Sequence, residues 1–306
     1  MPPRIAVLIP CLNEELSIAT VVRDFIRALP GAVVYVYDNN SSDRSGVVAA
    51  EAGAVVRHEP RQGKGFNVRR MFRDVDADIY ILVDGDDTYD PGAAIGMAEV
   101  LIREQLDMVI ARRVGQDEAY RAGHRTGNAL FTRAISALFG RRVTDVLSGY
   151  RAFSRRFVKS FVGVTGGFEI ETEITVHALT LGLPFREVDA PYRNRGAGSE
   201  SKLNTWGDGF RILLNILRLV REERPILYFS AIGSLLIGVA MGLGYPIVLE
   251  FHRTGLVPRF PTAILATGLV LSGLLSVACG LVLDSVARTR REAKYLAYLN
   301  ATSEAV

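Results

Sequence analysis

Short apolar runs alternate with amphipathic stretches along the first third of the chain. The apolar runs predict strands at residues 5–9, 33–37, 54–56, 79–83 and 108–111, and the stretches between them predict helices at 16–29, 44–52, 64–75 and 93–104. A further helix is predicted at 168–181 and a further strand at 185–188. Near-continuous apolar strands alternating with helices are typical of a mostly parallel sheet with helices on both faces. The expected fold class is therefore α/β.

Two long apolar runs, 226–249 and 260–283, contain no charged residue. Each is about as long as the ~20 residues that a helix needs to cross the hydrocarbon core of a membrane. Buried helices of soluble proteins usually carry a polar face, and these two runs carry none. We therefore predict a transmembrane hairpin made of these two spans.

The stretch just before the first span, 205–224, intersperses arginines among apolar residues. This pattern fits a helix in the membrane interface, and it also fits an amphipathic helix that faces a protein core. Its position beside a predicted span favours the interfacial helix. We thus predict three parts: a soluble α/β domain over 1–204, a juxtamembrane amphipathic helix over 205–224, and the hairpin with its tail over 225–306.

Basic residues flank the predicted hairpin on its outer sides. They are Arg218, Arg221 and Arg224 before the first span and Arg288, Arg290, Arg291 and Lys294 after the second. The connection between the spans carries Arg253 and Arg259 against Glu250. The excess of basic residues at the outer ends predicts that both termini are cytoplasmic. The first apolar run, 5–9, is too short for the core of a signal peptide, so the soluble domain is also expected in the cytoplasm, at the inner membrane.

Composition narrows the class of protein further. The chain of 306 residues has 36 Lys and Arg against 33 Asp and Glu, a net charge of +3 that does not indicate a nucleic-acid-binding protein. Its two cysteines, Cys11 and Cys279, fall in the first predicted strand and in the second predicted span. Such positions do not suggest a disulfide, and they fit a reducing compartment.

Polar clusters follow the predicted strands, where parallel sheets bind their ligands. Three carboxylates stand within four residues at Asp84, Asp86 and Asp87, and they repel one another unless a cation neutralises them. Such oxygen ligands suit Mg²⁺ or Mn²⁺ bound together with phosphates. The alternative is an acidic turn that caps the next helix. Asp38, at the end of the second strand, is a candidate for binding a nucleoside, with a capped turn as its alternative.

Seven stretches carry a resemblance to a known family. They are residues 9–14, 38–43, 63–65, 84–87, 145–151, 192–195 and 198–203. In this order they resemble the family 2 glycosyltransferases of GT-A fold, and within them the polyprenyl phosphate sugar transferases, including the dolichol phosphate mannosyltransferase group. The likeness extends over roughly residues 4–210, and two C-terminal spans also occur in many members.

The resemblance implies roles for individual residues. Pro10, Asn13, Glu14 and Asp38 would line the nucleotide pocket, Asp84 and Asp86 would bind the metal and the donor, and Lys64 and Lys202 would meet phosphates. Arg113 and Arg125 would lie near the acceptor phosphate, and Asp145 beside the acceptor; these three and Asp86 form the expected catalytic set. Many members have Gln as an extra metal ligand where this chain has Thr88, which leaves Asp87 as a substitute third ligand.

The activity implied by the resemblance is an inverting, metal-dependent transfer of a sugar from a nucleotide sugar to a polyprenyl phosphate. The implied cofactor is Mg²⁺ or Mn²⁺, and the implied partners are the nucleotide sugar, the polyprenyl phosphate and the membrane. A UDP-sugar is the preferred donor, with GDP-mannose as the alternative. The identity of the sugar, the length of the lipid and the formation of homo-oligomers stay open.

Other classes of protein fit the sequence less well. A nucleotidyltransferase would carry a glycine-rich basic loop after its first strand, where this chain has Pro10 to Glu14. A processive polysaccharide synthase would carry a Gln-x-x-Arg-Trp segment, and the single tryptophan, Trp206, follows Asn204 and Thr205 instead. The remaining alternatives are a membrane-anchored glycosyltransferase that acts on another lipid or cell-envelope acceptor, and a catalytically inactive membrane adaptor.

Overall fold

The computed structural model describes residues 2–114, 122–163, 170–193, 214 and 216–303, without the side chains of 122–130, 302 and 303. The chain divides into two compact units. One comprises Met1–Gly209 together with Ala293–Val306, and the other comprises Phe210–Glu292. The predicted division at 204 and 224 remains a prediction, because 205–213 and 215 lie outside the described residues, although 216–223 are helical.

The first unit is built on a seven-stranded sheet with the order β3-β2-β1-β4-β6-β5-β7. The strands are β1 (Ile5–Cys11), β2 (Val33–Asp38), β3 (Val55–His58), β4 (Ile79–Leu82), β5 (Met108–Val114), β6 (Arg151–Ser154) and β7 (Phe185–Pro191). β6 runs antiparallel to both of its neighbours, and the other pairs are parallel. The expected α/β class with a mostly parallel sheet is therefore confirmed.

Helices cover this sheet. They are α1 (Ile18–Ala28), α2 (Ser45–Glu51), α3 (Lys64–Asp74), α4 (Ala93–Arg103), α5 (Ala122–Phe139), α6 (Arg155–Ser160) and α7 (Ile170–Leu181). α1 shows why they pack: Ile18, Val21, Val22 and Phe25 recur on one face and are all buried against the sheet. The helix ends at Ala28, just before Pro30 and a glycine of positive φ, Gly31.

The second unit contains most of the two long apolar helices, α8 (Pro225–Thr254) and α9 (Phe260–Ser303). Both are long and apolar enough to cross a membrane, with a mean hydropathy of 2.1 over the best window of each. The two helices approach closely at Gly233 and Gly273: a Cβ on Gly233 would lie 2.7 Å from the carbonyl oxygen of Gly273. Small residues of this kind let helix backbones pack without side chains between them.

Helix α9 is longer than the sequence predicted. The predicted span ended at 283, but the helix continues without a break to Ser303, through the basic stretch that was expected to be a tail. In the first unit, the end of this helix packs through Tyr298, whose hydroxyl donates a 2.9 Å hydrogen bond to the fully buried carboxylate of Asp107. The guanidinium of Arg156 binds the same carboxylate and lies 5.5 Å from the centre of the Tyr298 ring.

Candidate active site

The polar clusters that follow β1, β2 and β4 lie at one edge of the sheet. In the parallel register Cys11 is opposite Asp38, and Leu8 is opposite Leu82, so the three strands end close together. Pro10 is a partly buried member of β1 at this edge. The carboxyl ends of the central strands therefore meet where a parallel sheet is expected to bind its ligand.

Hydrogen bonds fasten the loop after β1 to the loop after β2. Asn13 adopts a positive φ of 54°, and its side-chain oxygen accepts a 2.7 Å hydrogen bond from the backbone of Ser42. The backbone of Glu14 donates a 2.8 Å hydrogen bond to Ser45. Asp38 accepts from the backbone of Ser41 at 3.3 Å. The structure thus brings together three of the residues that the resemblance assigns to the nucleotide pocket.

The acidic loop after β4 holds Asp84 and Asp86 in different surroundings. Asp86 is buried and accepts a 2.6 Å hydrogen bond from the hydroxyl of Thr88, which is itself fully buried. Asp84 is more open and lies against Gly149, where an added Cβ would come within 2.3 Å of the carboxylate. Asp87 has a positive φ of 58°, and burial raises the pKa of its carboxyl group.

The side chains of Asp84 and Asp86 fit a cation that phosphates help to hold. Mg²⁺-type sites commonly use one or two carboxylates and complete their coordination with substrate phosphates and water. Among the described residues, no group of three or more His, Cys, Asp or Glu side chains is placed so that it could hold a metal ion, so a cation here would depend on these two carboxylates and on the phosphates. The hydroxyl of Thr88 donates its hydrogen bond to Asp86, so Thr88 orients an aspartate at the position where many members of the resembling family have a metal-binding Gln.

Lys64, the first residue of α3, connects the acidic loop to α7. Its ammonium contacts a carboxylate oxygen of Asp84 and one of Glu171, each at 2.5 Å. Burial alone would lower the pKa of Lys64, but the two carboxylates outweigh it and the pKa is raised. Sequence reasoning missed Glu171, because an acidic residue in the first turn of a predicted helix is an ordinary favourable pairing with the helix dipole.

Arg113 and Asp145 form a second charged pair. Arg113 lies on β5, and its Nε and Nη2 donate to the two oxygens of Asp145 at 2.8 Å and 2.7 Å. Glu187 of β7 holds the loop around Asp145, accepting from the backbone of Thr144 at 2.8 Å and of Asp145 at 3.1 Å. Sequence reasoning gave no role to Glu187, because a single acidic residue within a predicted strand carries no motif, and the structure has its side chain partly buried.

Tyrosine rings link this pair to the acidic loop. The guanidinium of Arg113 lies 5.7 Å from the centre of the Tyr192 ring, which is 5.1 Å from the ring of Tyr89. The hydroxyl of Tyr89 accepts a hydrogen bond from the backbone of Gly149 at 3.1 Å. Tyr89 follows the acidic loop directly, so Arg113 and the aspartates belong to one connected site.

Arg151 lies fully buried beneath the site. Its guanidinium donates to the carbonyl oxygens of Val146 and Ser148 and to the hydroxyl of Thr175 on α7. These bonds fix the loop that carries Asp145 and Gly149. Burial lowers the pKa of Arg151 to about 10, so the group still carries its charge at neutral pH.

The side chains of two predicted site residues lie outside what the structure describes. The backbone of Arg125 belongs to α5, but its side chain is outside the described part. Lys202 falls within 194–213, which is also outside it. The roles of both residues remain predictions.

The comparison with protein families matches residues 6–161, half of the chain, to the model described as glycosyl transferase family 2. The chain belongs to glycosyl transferase family 2. Over 294 residues it is 31% identical to the glycosyltransferase AglJ of Haloferax volcanii, covering 95% of this chain and 96% of that protein. It is 30% identical to the dolichyl-phosphate hexose transferase of the same organism over 72% of this chain and 95% of that protein.

The fold of this family 2 glycosyltransferase is shared with solved structures. One is the glucosyl-3-phosphoglycerate synthase of Mycobacterium tuberculosis in complex with Mn²⁺, uridine diphosphate and glucosyl-3-phosphoglycerate. The TM-score is 0.59 and the identity 22%, covering 71% of this chain and 80% of that one. At this identity the likeness shows a common fold, the GT-A fold.

Proposed function

We propose that this family 2 glycosyltransferase transfers a sugar from a nucleotide sugar to a polyprenyl phosphate, with inversion at the anomeric carbon. The observation that carries the proposal is the single connected site in which the acidic loop of Asp84 and Asp86 adjoins the Arg113–Asp145 pair. A chain with two helices apolar enough to span a membrane suits an acceptor that stays in the bilayer. The similar dolichyl-phosphate hexose transferase supports this class of acceptor.

The donor would bind beyond the ends of β1, β2 and β4. Pro10, Asn13, Glu14 and Asp38 would line the nucleotide pocket, and Asp84 and Asp86 would hold a divalent cation together with the diphosphate. When bound, this cation stabilises the negative charge that develops on the leaving diphosphate. The Mn²⁺ and uridine diphosphate found with the synthase of the same fold support a divalent cation and a uridine donor. GDP-mannose is the alternative donor.

The reaction itself needs little proton transfer. The second pKa of a phosphate monoester is about 6, so the acceptor is largely dianionic at neutral pH. One of its oxygens attacks the anomeric carbon, and the bond from that carbon to the diphosphate oxygen breaks, with the electron pair leaving on the diphosphate. Asp145 is bound on both oxygens by Arg113. This pairing suits an orienting role for Asp145 rather than that of a free base.

Arg113, with Arg125 and Lys202 as further candidates, would recognise the acceptor phosphate. A dianion that approaches a bound diphosphate needs its like-charge repulsion compensated, and arginine does this with defined geometry. The apolar helices would place this chemistry at the cytoplasmic face of the inner membrane, with both termini cytoplasmic. The partners would then be the nucleotide sugar, the lipid and the membrane.

The test is an assay of the purified chain in detergent with a panel of nucleotide sugars and a short polyprenyl phosphate. We expect one donor to give a lipid-linked monosaccharide. Product formation should stop when EDTA removes divalent cations and should resume when Mg²⁺ or Mn²⁺ is added. The matching polyprenol, which lacks the phosphate, is the control acceptor and should give no product. Transfer to a different lipid in place of polyprenyl phosphate would favour the alternative, a glycosyltransferase with another envelope acceptor.

A further inference from the structure

Lys64 is shared between two carboxylates that differ in their surroundings. The side chain of Glu171 is 7% exposed, and its second oxygen, Oε2, is buried with no hydrogen-bond partner among the described residues. The side chain of Asp84 is 28% exposed and belongs to the acidic loop. The ammonium therefore holds one carboxylate in the interior and one at the surface of the site.

The two ends of this bridge are not equally easy to break. A buried carboxylate that loses its partner leaves an uncompensated charge in a medium of low dielectric constant, which is strongly unfavourable. The carboxylate of Asp84 is more open and can exchange one cation for another without becoming unpaired. A divalent cation on Asp84 also repels an ammonium on the same carboxylate. When the cation binds, Lys64 is thus expected to leave Asp84 and stay with Glu171.

We propose that Glu171 is a positioning residue that retains Lys64 while Lys64 serves as an exchangeable counter-ion of Asp84. The divalent cation and the donor diphosphate displace the ammonium from Asp84, and Glu171 keeps it within reach of the phosphates. Before the donor binds, Lys64 neutralises Asp84. After the donor has bound, Lys64 contacts the diphosphate. This inference rests on the proposed function, because it requires a cation at Asp84 and Asp86.

A direct consequence concerns cation affinity in the absence of donor. Lys64 competes with the cation for Asp84, and Glu171 weakens that competition by drawing the ammonium away. Shortening Glu171 to Asp keeps the charge but moves the carboxylate out of reach, so Lys64 should turn fully to Asp84. If net charge alone set the affinity for the cation, Glu171→Asp would leave that affinity unchanged.

The experiment measures Mn²⁺ binding to the full-length protein in detergent by electron paramagnetic resonance, with and without UDP. Glu171→Asp should raise the Kd for Mn²⁺ without UDP by about tenfold, the size expected from one charge-assisted hydrogen bond redirected onto Asp84. Lys64→Met should lower that Kd. In the Lys64→Met background, adding Glu171→Asp should change it less than about twofold, because Glu171 acts through Lys64.

Glu173→Asp, in the same turn of α7, is the matched control and should bind Mn²⁺ like the parent. Thermal unfolding of each variant checks folding, and Glu171→Gln replaces Glu171→Asp if the latter does not fold. Its rise in the Kd for Mn²⁺ should disappear in the Lys64→Met background, whereas an effect of net charge alone would persist there. If Glu171→Asp and the parent have equal Kd values, this inference fails while the proposed function stands. If the parent binds no Mn²⁺ even with UDP, the metal dependence in the proposed function and this inference fail together.

Discussion

The guanidinium of Arg113 and the carboxylate of Asp145 meet in two parallel hydrogen bonds across 32 residues of sequence. Both side chains are nearly buried, at 11% and 8% exposed. The neighbouring Arg112 forms a comparable pair with Asp189, but there the two side chains are 44% and 57% exposed. Adjacent arginines of one strand thus provide an inner and an outer ion pair, which can be compared directly.

Arg113→Ala should raise the KM for polyprenyl phosphate more than the KM for the nucleotide sugar, because the acceptor dianion loses its charged partner. Arg112→Ala is the control and should leave both constants near those of the parent, since exposed ion pairs contribute ~0–1 kcal/mol. Arg113→Lys keeps a positive charge beside Asp145 but cannot donate two parallel hydrogen bonds. It is the variant to use if Arg113→Ala fails to fold because the Asp145 carboxylate is left unpaired. If Arg113→Ala and Arg112→Ala both have the KM of the parent for polyprenyl phosphate, Arg113 has no role in binding the acceptor.

Asp86→Asn should lose most of the activity, because the neutral amide is a poor ligand for a divalent cation. Donor binding, measured by calorimetry, should weaken in the presence of Mg²⁺ or Mn²⁺ and stay unchanged in EDTA. The amide still accepts the hydrogen bond from Thr88, so the loop is expected to keep its conformation. Equal turnover and equal donor affinity in Asp86→Asn and the parent would remove Asp86 from the metal site.

Gly149→Ala should reduce activity strongly while the protein still folds. The new Cβ would lie 2.3 Å from an oxygen of Asp84, so the carboxylate has to move away from its place beside Lys64. Gly96→Ala is the matched control, because nothing lies within 4 Å of a Cβ at this exposed position in α4. The control should stabilise the helix by up to ~1 kcal/mol. Full activity of Gly149→Ala would show that Asp84 tolerates displacement.

His177 should make the protein sensitive to acid. Burial lowers the pKa of this histidine from 6.5 to about 3, and its ring packs edge-on against both Phe157 and Phe161. Below pH 6.5 the histidine is protonated in the unfolded chain but stays neutral in the folded chain, so the free energy of unfolding decreases as the pH falls. Above pH 6.5 the histidine is neutral in both states and has no effect on stability. The loss is about 2 kcal/mol by pH 5. His177→Gln should flatten the decline in denaturation midpoint between pH 7 and pH 5, and an unchanged slope would contradict this origin.

The predicted topology is checked by labelling cysteines in intact cells. Thr254, at the end of α8, should react with an impermeant reagent after substitution by Cys, and exposed Glu292 should react only after permeabilisation. Ala301 is a poorer reporter because it is buried. The background is Cys279→Ser, and burial raises the pKa of Cys11 to about 12, which keeps that thiol unreactive. Labelling at 292 and protection at 254 would reverse the assignment.

Residue patterns predicted six of the seven strands of the sheet described here and missed β6. That strand begins with Arg151, whose charge is accommodated by carbonyl oxygens and by Thr175 of a later helix. Such accommodation depends on tertiary structure and leaves no local pattern. The bridge from Lys64 to Glu171 spans 107 residues, and for the same reason neither periodicity nor spacing indicates it. The acidic loop was found because its carboxylates are adjacent in sequence.

The contact between Tyr298 and Asp107 bears on how the catalytic part of this protein can be produced by itself. A soluble fragment that stops before α8 would lack Tyr298, and the Asp107 carboxylate, which is fully buried in the intact chain, would lose one of its hydrogen-bond donors. The apolar contacts of buried Ala301 would be lost as well. Joining 293–303 to the fragment by a flexible linker would restore these contacts, so the last eleven described residues belong in any expression design for the sugar-transferring part.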